Sequence, residues 1–384
     1  MTAWPLAAAN VGTGLPLEGV RVLDLSRVLA GPLAAMVAGD LGADVIKVEG
    51  PGGDPVRALS PPRFGEDATY YLAINRHRRN VVADLRDPAG FATVEALVRE
   101  ADAVVENYLP SQAGALGVGR LRSANPDCVW VSVTSATSGG PLADRPSFDL
   151  LAQARSGLMG VTGEPGGDPA KVGAPVADVV TGLYAAIALL TGLYARAAGA
   201  PGRNFEAPLL ECAMSALVNQ AQGYLSTGVA SERTGNDHPS IAPYGSFRTG
   251  DGLLMIAVGT DGQFAKLVAA LGDERIAARV DWAPNAARVA ALGELRAELE
   301  RALASASAQA WAERLGAAGV PVGPVLDVPG AFAQDQIVAG DFVGEMDAPS
   351  GPTRAMRTPL LIDGARPPIR SGPRRLGEDT GRLG

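Results

Sequence analysis

The sequence contains very little cysteine or histidine. Cys128 and Cys212 are the only cysteines among 384 residues, neither belongs to a CxxC pair, and the only histidines are His77 and His238. Zinc sites and disulfide frameworks are built from clusters of these residue types. We therefore expect no metal site and no disulfide, with both thiols buried in apolar surroundings.

Positive charge and aromatic side chains are also scarce. Lysine and arginine number 33 against 41 acidic residues, which gives a net charge of −8, and aromatic residues make up 5% of the chain. General binding to nucleic acid or to an anionic membrane needs a basic surface. The sequence therefore predicts neither as a partner, although a local basic patch for a phosphorylated ligand is compatible with it.

The chain shows no pattern typical of export or of a membrane span. Residues 1–12, MTAWPLAAANVG, lack a basic region and a long apolar run, so we expect no signal peptide. The longest candidate span, residues 179–195, is uncharged but short, and it includes Gly182 and Gly192. We predict that this run is a helix buried nearly all round in the core of a cytoplasmic protein.

The first half of the chain alternates predicted strands and helices. A strand at residues 20–25, a helix at 30–41 and a strand at 44–49 form a βαβ unit, which implies a parallel sheet. A strand at 80–85, a helix at 87–101 and strands at 102–106 and 128–134 continue the pattern. The predicted class is α/β, with a large open parallel-sheet domain of Rossmann-like type. A nicotinamide dinucleotide site is disfavoured, because the GxGxxG pattern is missing and Pro32 lacks a backbone N–H donor.

The second half predicts a smaller α+β domain. Residues 206–225 are an apolar stretch that predicts one helix, and residues 226–240 are polar and Gly-rich, as is typical of a linker. Strands at 253–258 and 320–322 flank helices at 286–306 and 308–318. The first of these helices has leucines near helical spacing, which predicts a packing stripe on one face: Leu292, Leu295, Leu299 and Leu303. We therefore predict a large domain of residues 1–225 and 340–384, a linker at 226–240, a small domain at 241–325 and a return linker at 326–339.

Asp178 lies where a Gly/Pro-rich connector meets the uncharged run. The tripeptide Gly173-Ala174-Pro175 interrupts regular structure, and an aspartate directly before an apolar run is a helix-start pattern. Asp178 would then be an N-cap that accepts bonds from free backbone N–H groups. The same position stabilises an ionised carboxylate that points into a cleft and acts as a nucleophile. The residues alone leave both interpretations open.

The densest basic cluster is the run Asn75-Arg76-His77-Arg78-Arg79-Asn80. Charge runs of this kind are commonly solvated loops. The alternative is a phosphate site, because guanidinium groups bind phosphates through paired hydrogen bonds.

Several segments together resemble the class III coenzyme A transferases (the CaiB/BaiF type) over residues 17–380. The resemblance implies an enzyme that moves coenzyme A from an acyl-CoA to a small carboxylic acid, with Asp178 as the attacking acid. It implies no permanently bound cofactor, because coenzyme A is a substrate, and a homodimer of two interlocked ring-shaped chains. The segments are DLSRVLAGPLAAMVAGDLGADVIKVEGPGGDPVR near the start, Glu106-Asn107-Tyr108-Leu109-Pro110, the Asp178 segment, and Arg374-Arg375-Leu376-Gly377-Glu378-Asp379-Thr380 at the close.

The same resemblance implies which residues contact coenzyme A. Arg27 and residues 240–244 also resemble members that act on short dicarboxylates such as succinate or glutarate. The implied contacts come from four segments, with the residues Arg27, Val28, Leu29, Ala30, Asn75, Arg76, His77, Arg78, Asn107, Tyr108, Phe148 and Asp149.

The sequence departs from the family pattern in places that bear on the alternatives. Ala115 stands where the family often has an arginine, so one phosphate contact is lost or supplied from elsewhere. Acyl-CoA racemases of the same fold have a histidine at the position of Phe148, and phenylalanine cannot exchange a proton. A third alternative is a non-catalytic CoA-binding protein in which Asp178 is only a helix cap.

Overall fold

The computed structural model describes residues 12–382, and the N-terminal stretch without a signal-peptide pattern lies almost wholly outside them. Contacts divide the chain into two units. The first comprises the described residues up to Met159, Lys171–Ala230 and the described residues from Asp335 onwards, and the second comprises Gly160–Ala170 and Ser231–Gln334. Residues 160–170, which were predicted to lie in the large domain, cluster with the second unit.

Thirteen strands run through the described residues. They are β1 Arg21–Asp24, β2 Asp44–Glu49, β3 Arg63–Phe64, β4 Asp67–Ala68, β5 Arg78–Val82, β6 Ala103–Glu106, β7 Val129–Thr134, β8 Asn204–Pro208, β9 Tyr244–Arg248, β10 Leu253–Ala257, β11 Val322–Pro324, β12 Val343–Ala348 and β13 Gly351–Met356.

The α-helices of the same residues lie between and after these strands. They are α1 Ala30–Asp40, α2 Thr69–Ile74, α3 Pro88–Glu100, α4 Pro110–Ala115, α5 Val118–Ala124, α6 Asp149–Ser156, α7 Leu158–Val161, α8 Val176–Ala197, α9 Leu209–Ser215, α10 Asn219–Thr227, α11 Asp261–Leu271, α12 Glu274–Ala277, α13 Asn285–Ala290, α14 Leu292–Leu303, α15 Ala308–Ala317, α16 Val328–Ala333 and α17 Asp335–Ala339.

A six-stranded sheet organises the first unit. Its order is β5-β2-β1-β6-β7-β8, and every neighbouring pair is parallel. Together with the small antiparallel sheets β9–β11, β12–β13 and β3–β4, this confirms the predicted α/β class with a large parallel sheet. The interlocking of two chains stays a prediction. The strand order reverses between β1 and β6, and open sheets of this kind bind ligands outside the carboxyl ends of the strands at such a reversal.

Helices cover both faces of this sheet, because successive strand residues point to opposite sides. Val22 of β1 packs with α1 and α8 in one core, whereas its neighbour Leu23 packs with α3 and α5 in the other. Both cysteines are free and buried, as predicted.

Two predicted elements near the sheet differ from the observed ones. The strand predicted at 80–85 is β5, which begins at Arg78, so part of the basic cluster lies in the sheet and not in a loop. Residues 206–225 were predicted as one helix, but they contribute to β8 and form α9 and most of α10. β8 is the edge strand, and its exposed and half-buried residues do not give the apolar run that marks an interior parallel strand.

The central helix α8 buries one face and exposes the other. Ala177, Ala185 and Leu189 are buried, whereas the side chains of Ile187 and Tyr194 are 57% and 78% exposed. The prediction of a helix buried nearly all round is therefore wrong for the single chain. α8 has the length and apolar composition to cross a membrane, as core helices of soluble proteins also do.

The second unit has its own apolar core. The predicted leucine stripe is confirmed, since Leu295, Leu299 and Leu303 of α14 are all fully buried. They pack in one cluster with Trp282 and Trp311, against the three-stranded sheet of β9, β10 and β11.

Candidate active site

The loops that follow β1 and β6 meet at the point where the strand order reverses. The backbone N–H of Arg27 donates to Asn107 Oδ1 at 2.9 Å, and Asn107 Nδ2 donates to the carbonyl oxygen of Arg27 at 2.8 Å. This reciprocal pair joins the two loops across the crevice. The fold therefore places both predicted contact segments at the expected ligand position.

A cavity of about 320 Å³ opens at this crevice, and we call it the Asp178 cavity. It is lined by the loops after β1, β6 and β7, by the segment before α6 and by the start of α8 and α9. Its lining residues are Arg27, Val28, Leu29, Ala30, Pro55, Asn107, Tyr108, Leu109, Pro110, Gln112, Val133, Thr134, Ser135, Ala143, Pro146, Ser147, Phe148, Asp178 and Leu209.

A second cavity of about 460 Å³ lies beside it at the ends of β2 and β5, and we call it the Leu85 cavity. Arg27, Tyr108 and Gln112 line both cavities, so the two adjoin each other. An elongated ligand can therefore extend from Asp178 into the Leu85 cavity. The remaining lining residues are Leu25, Val48, Glu49, Gly50, Gly53, Asp54, Ala83, Asp84, Leu85, Arg86, Ala115 and Leu116.

Asp178 lies within the first turn of α8 and is not its N-cap. The N-cap is Pro175, which has no side chain that accepts a hydrogen bond. Asp149, at the start of α6, supplies the missing cap: its Oδ1 accepts the backbone N–H groups of Ala177 at 2.8 Å and of Asp178 at 3.3 Å. Gln153 Nε2 donates to the other oxygen of Asp149 at 2.7 Å. The capping function predicted for Asp178 is thus performed by Asp149.

The carboxylate of Asp178 is left without a hydrogen-bond partner among the described residues. Burial, and next the negative charge of Asp149, raise the pKa of Asp178 to about 7. The helix start would favour the ionised form, but Asp149 already accepts the amides that provide this effect. Near neutral pH a fraction of Asp178 is therefore ionised, unbonded and open to the cavity, as a nucleophile requires.

A close contact between α8 and α1 fixes where Asp178 sits. Gly182 lies one turn after Asp178, and a methyl group at Gly182 would lie 2.8 Å from the carbonyl oxygen of Ala30 and 2.9 Å from the side chain of Leu33. Only glycine allows the two backbones to approach this closely. The first turn of α8 is consequently held against the loop that follows β1.

That loop carries backbone strain and free N–H groups. Val28 has a φ of 71°, a conformation that a β-branched residue rarely adopts and that costs about 1–3 kcal/mol. Helix α1 begins directly afterwards without a side-chain cap, and the N–H groups of Ala30 and Gly31 have no partner among residues 12–382. A helix start with free amides beside Asp178 favours negative charge on a bound group.

Two tyrosines beside the site stay protonated at neutral pH. Burial and the nearby charges of Asp178 and Asp149 raise the pKa of Tyr70 to about 12. Burial likewise raises the pKa of Tyr108 to about 12, and the guanidinium of Arg27 lies over its ring at 5.6 Å. Both phenols are hydrogen-bond donors and not bases under these conditions.

The basic cluster does not reach either cavity, and this corrects the predicted phosphate site. Arg76 forms a buried ion pair with Asp40 at 2.6 Å, and His77 contacts the same carboxylate. Arg78 pairs with Asp24 at 2.9 Å and also bonds Asn75. Asn75, Arg76, His77 and Arg78 are all buried. These buried guanidinium groups pair with internal carboxylates and are not exposed to a ligand.

The other predicted contacts mostly lie together. Arg27, Val28, Leu29, Ala30, Asn107, Tyr108 and Phe148 all line the Asp178 cavity, whereas Asp149 acts behind it as the cap of α8.

The residues that the sequence analysis missed are those after β5 and β2, above all Arg86 and Asp54 of the Leu85 cavity. The position of these residues in the sequence could have identified them as candidates, because they follow the carboxyl ends of parallel strands, where ligands bind. The basic cluster, in contrast, lies before β5 and at its amino end. No group of three or more metal-ligating side chains occurs in the described part of the chain.

Comparison with known proteins agrees with this geometry. The family model described as CoA-transferase family III matches residues 17–380. The chain is 40% identical to the succinate–glutarate CoA-transferase of Agrobacterium fabrum, over 90% of this chain and 89% of the relative. It is 36% identical to the human succinyl-CoA:glutarate CoA-transferase, over 92% and 83%. The crystal structure of a CaiB/BaiF family protein from Brucella suis matches with a TM-score of 0.86 and 38% identity, over 96% of this chain and 98% of that one. The resemblance noted in the sequence is therefore confirmed, and the chain belongs to CoA-transferase family III and is a CoA-transferase.

Proposed function

We propose that Asp178 is the covalent nucleophile of this transferase and carries the acyl group and then coenzyme A in turn. The observation that supports this most directly is its carboxylate, which has no hydrogen-bond partner among the described residues and lines a cavity that adjoins a second one. Coenzyme A is an elongated molecule whose thioester and nucleotide ends lie far apart. The Asp178 cavity suits the thioester, and the Leu85 cavity suits the nucleotide.

The reaction begins with two attacks on carbonyl carbons. A carboxylate oxygen of Asp178 attacks the donor thioester, the C–S bond breaks, and coenzyme A leaves as a thiolate from a mixed anhydride. The thiolate then attacks the aspartyl carbonyl of that anhydride, which forms an aspartyl-CoA thioester and releases the donor acid as a carboxylate. No proton is gained or lost in either step.

The second half repeats these steps with the acceptor acid. Its carboxylate attacks the aspartyl thioester and expels the thiolate, which then attacks the acceptor carbonyl and regenerates Asp178. Each attack places negative charge on a carbonyl oxygen, and donors already in position lower such barriers most. The free N–H groups at the start of α1, beginning with Ala30, would stabilise that charge.

Two arginines replace the buried cluster as candidates for the phosphates of coenzyme A. Arg27 is exposed and lines both cavities, and Arg86 lines the Leu85 cavity together with Ala115. Arg86 pairs with Asp84 at 2.8 Å, but its side chain is 76% exposed and such surface pairs are weak. A ligand phosphate can therefore compete for it and supply the contact that Ala115 cannot make.

We also propose short dicarboxylic acids as the acids exchanged. Both relatives described above are named for succinate or succinyl-CoA and for glutarate. Each of the two matches covers at least 90% of this chain. The exposed cation of Arg27 in the Asp178 cavity suits a second carboxylate. A panel of free acids offered with succinyl-CoA, with products read by mass spectrometry, would identify the acceptor.

The alternatives separate in one assay. A racemase of this fold would need a second acid–base group opposite Asp178, and the position concerned is Phe148, which is 62% exposed and cannot exchange a proton. The protein is incubated with an acyl-CoA, with and without a labelled free acid, in deuterated water. We expect CoA to move onto the labelled acid and no deuterium to enter the α-position. Deuterium exchange without a free acid would favour a racemase, and binding without either reaction would favour a non-catalytic protein.

A further inference from the structure

Lys47 is a fully buried cation beneath the loop that follows β1. It lies on β2, and neither it nor its two acidic neighbours has exposed side-chain surface. Its Nζ donates to the carbonyl oxygen of Ser26 at 2.8 Å and lies 2.9 Å from Asp54 Oδ2 and 3.7 Å from Asp24 Oδ2. Three groups from two segments, the end of β1 and the loop after β2, thus converge on one ammonium.

The charges around Lys47 balance. Asp24 also pairs with Arg78 at 2.9 Å, so two cations and two carboxylates share one buried cluster. A balanced, hydrogen-bonded cluster is tolerated in the interior, whereas an unpaired member is not. Stability alone does not require such a cluster, because well-packed apolar residues often serve equally well. Its contacts therefore call for another explanation.

Side-chain hydrogen bonds fix three successive backbone N–H groups in the loop that follows β1. Asp24 Oδ1 accepts the N–H of Ser26 at 2.9 Å, and Asp54 accepts the N–H of Val28 at 3.3 Å. The intervening N–H of Arg27 is bonded by Asn107. Three successive amides are thus fixed by side chains, and Lys47 touches both of the carboxylates that fix the outer two.

The backbone N–H groups that side chains fix directly precede the free N–H groups at the start of α1. Val28 is kept in a left-handed conformation with a φ of 71°, and α1 begins two residues later with the free N–H groups of Ala30 and Gly31. A β-branched residue leaves this conformation unless neighbouring contacts hold it there. Release of Asp54 or of the Ser26 carbonyl would therefore turn the start of α1 relative to Asp178.

We propose that Lys47 is a positioning residue for CoA transfer: it fixes the loop of residues 26–29 so that the free amides at the start of α1 face the carbonyl group attacked by Asp178. This rests on the function proposed above, since it assumes that the carbonyl group reacts at Asp178. Lys47 itself touches no substrate. Its effect falls on the charge that develops during attack, and less on the binding of acyl-CoA in the ground state.

The test is the variant Lys47→Met, which keeps the length of the side chain and removes its charge. We expect kcat for CoA transfer to fall about 10²-fold in folded protein, as displacement of a reacting group by about 1 Å does. The KM for acyl-CoA should stay within about threefold, because an interaction that acts in the transition state changes kcat and not ground-state binding. The double variant Lys47→Met/Asp54→Asn removes one charge of each sign and keeps the cluster balanced, so it provides the same test where the single variant does not fold.

The matched control is Leu97→Ala on α3, a fully buried residue that lines neither cavity and belongs to the opposite core. It should lower the melting temperature and leave kcat per folded molecule unchanged. A folded Lys47 variant with normal kcat would overturn the proposal, and so would a loss no greater than its unfolded fraction explains. An Asp178→Asn protein that transfers CoA normally in the same series would overturn the proposed function, and the proposal for Lys47 with it.

Discussion

The carboxylate of Asp149 accepts the backbone N–H of Asp178 at 3.3 Å, so two acidic side chains share the start of one helix. One of them caps the helix, and the other is left without a partner in the described chain. Asp149 accepts the backbone N–H groups at the helix start, and these groups would otherwise favour the ionised form of Asp178. Burial raises the pKa of Asp178, and the negative charge of Asp149 at the same helix start raises it further.

This arrangement predicts a pH dependence of the reaction. Since the nucleophile is the ionised form, kcat/KM should rise with pH and level off above a midpoint near 7. This midpoint is the pKa of Asp178 in the enzyme without bound substrate. Asp149→Asn can still accept an N–H bond but carries no charge, so the midpoint should move to lower pH. The control is Asp102→Asn. Asp102 directly precedes β6, at the end of the strands away from the cavities, so its replacement should leave the midpoint in place. An unchanged midpoint in Asp149→Asn would contradict the assigned cause.

Asp178 should also make the stability of the protein depend on pH. In the folded protein the pKa of Asp178, about 7, lies above the ordinary aspartate pKa of 3.8, which applies to the unfolded chain. Between these values the folded state binds more protons, so the free energy of unfolding falls as pH rises from about 4 to 7. Asp178→Asn lacks this contribution, and its stability relative to wild type should increase over the same interval. Urea unfolding at several pH values measures the difference, and a difference that is constant with pH would disprove it.

Arginines that looked equivalent in the sequence should behave differently. Arg78→Ala leaves Asp24 with one cation fewer in a buried cluster, which should lower the free energy of unfolding by about 3–5 kcal/mol. Arg86→Ala should leave stability nearly unchanged and raise the KM for acyl-CoA, because its side chain is exposed in the Leu85 cavity. Arg99→Ala, on the exposed side of α3, is the matched surface control and should change neither quantity. A normal KM in Arg86→Ala would exclude it as a phosphate contact.

The exposed apolar face of α8 predicts assembly into a homodimer. Leu183, Ile187 and Tyr194 are 48%, 57% and 78% exposed in the single chain, and Leu225 of α10 is 75% exposed. Apolar surface of this extent is seldom left in water. Interlocked chains, as the family resemblance implies, should not separate on dilution without unfolding. Sedimentation velocity over a wide range of concentrations tests this, and a folded monomer at the lowest concentration would refute it.

Much of the fold follows from local sequence patterns. The strand predicted at 44–49 is β2 without any shift, and the helix predicted at 30–41 is one residue shorter as α1. Buried parallel strands are continuous apolar runs and are therefore readable. The edge strand β8 was missed because its half-exposed residues give no such run.

The site was only partly predictable for a different reason. The connector marked Asp178 as an acid at a helix start and left its role open. Asp149, which caps that helix, is 29 residues away and acts through the backbone. Likewise, no local pattern shows that Arg78 faces Asp24 across the sheet and not a ligand. Pairings of this kind depend on which strands become neighbours, and only the assembled sheet specifies them.

The central claim, that Asp178 is the covalent nucleophile, is tested most directly by trapping it during turnover. Borohydride or hydroxylamine is added to the protein with acyl-CoA, and a peptide map locates the modified carboxyl group. We predict modification at Asp178 alone, dependent on acyl-CoA and absent from Asp178→Asn, which should fold normally and transfer no CoA because an amide cannot form the anhydride. An Asp178→Asn protein with normal melting and near-normal transfer, or a trapped carboxyl group elsewhere, would contradict the account.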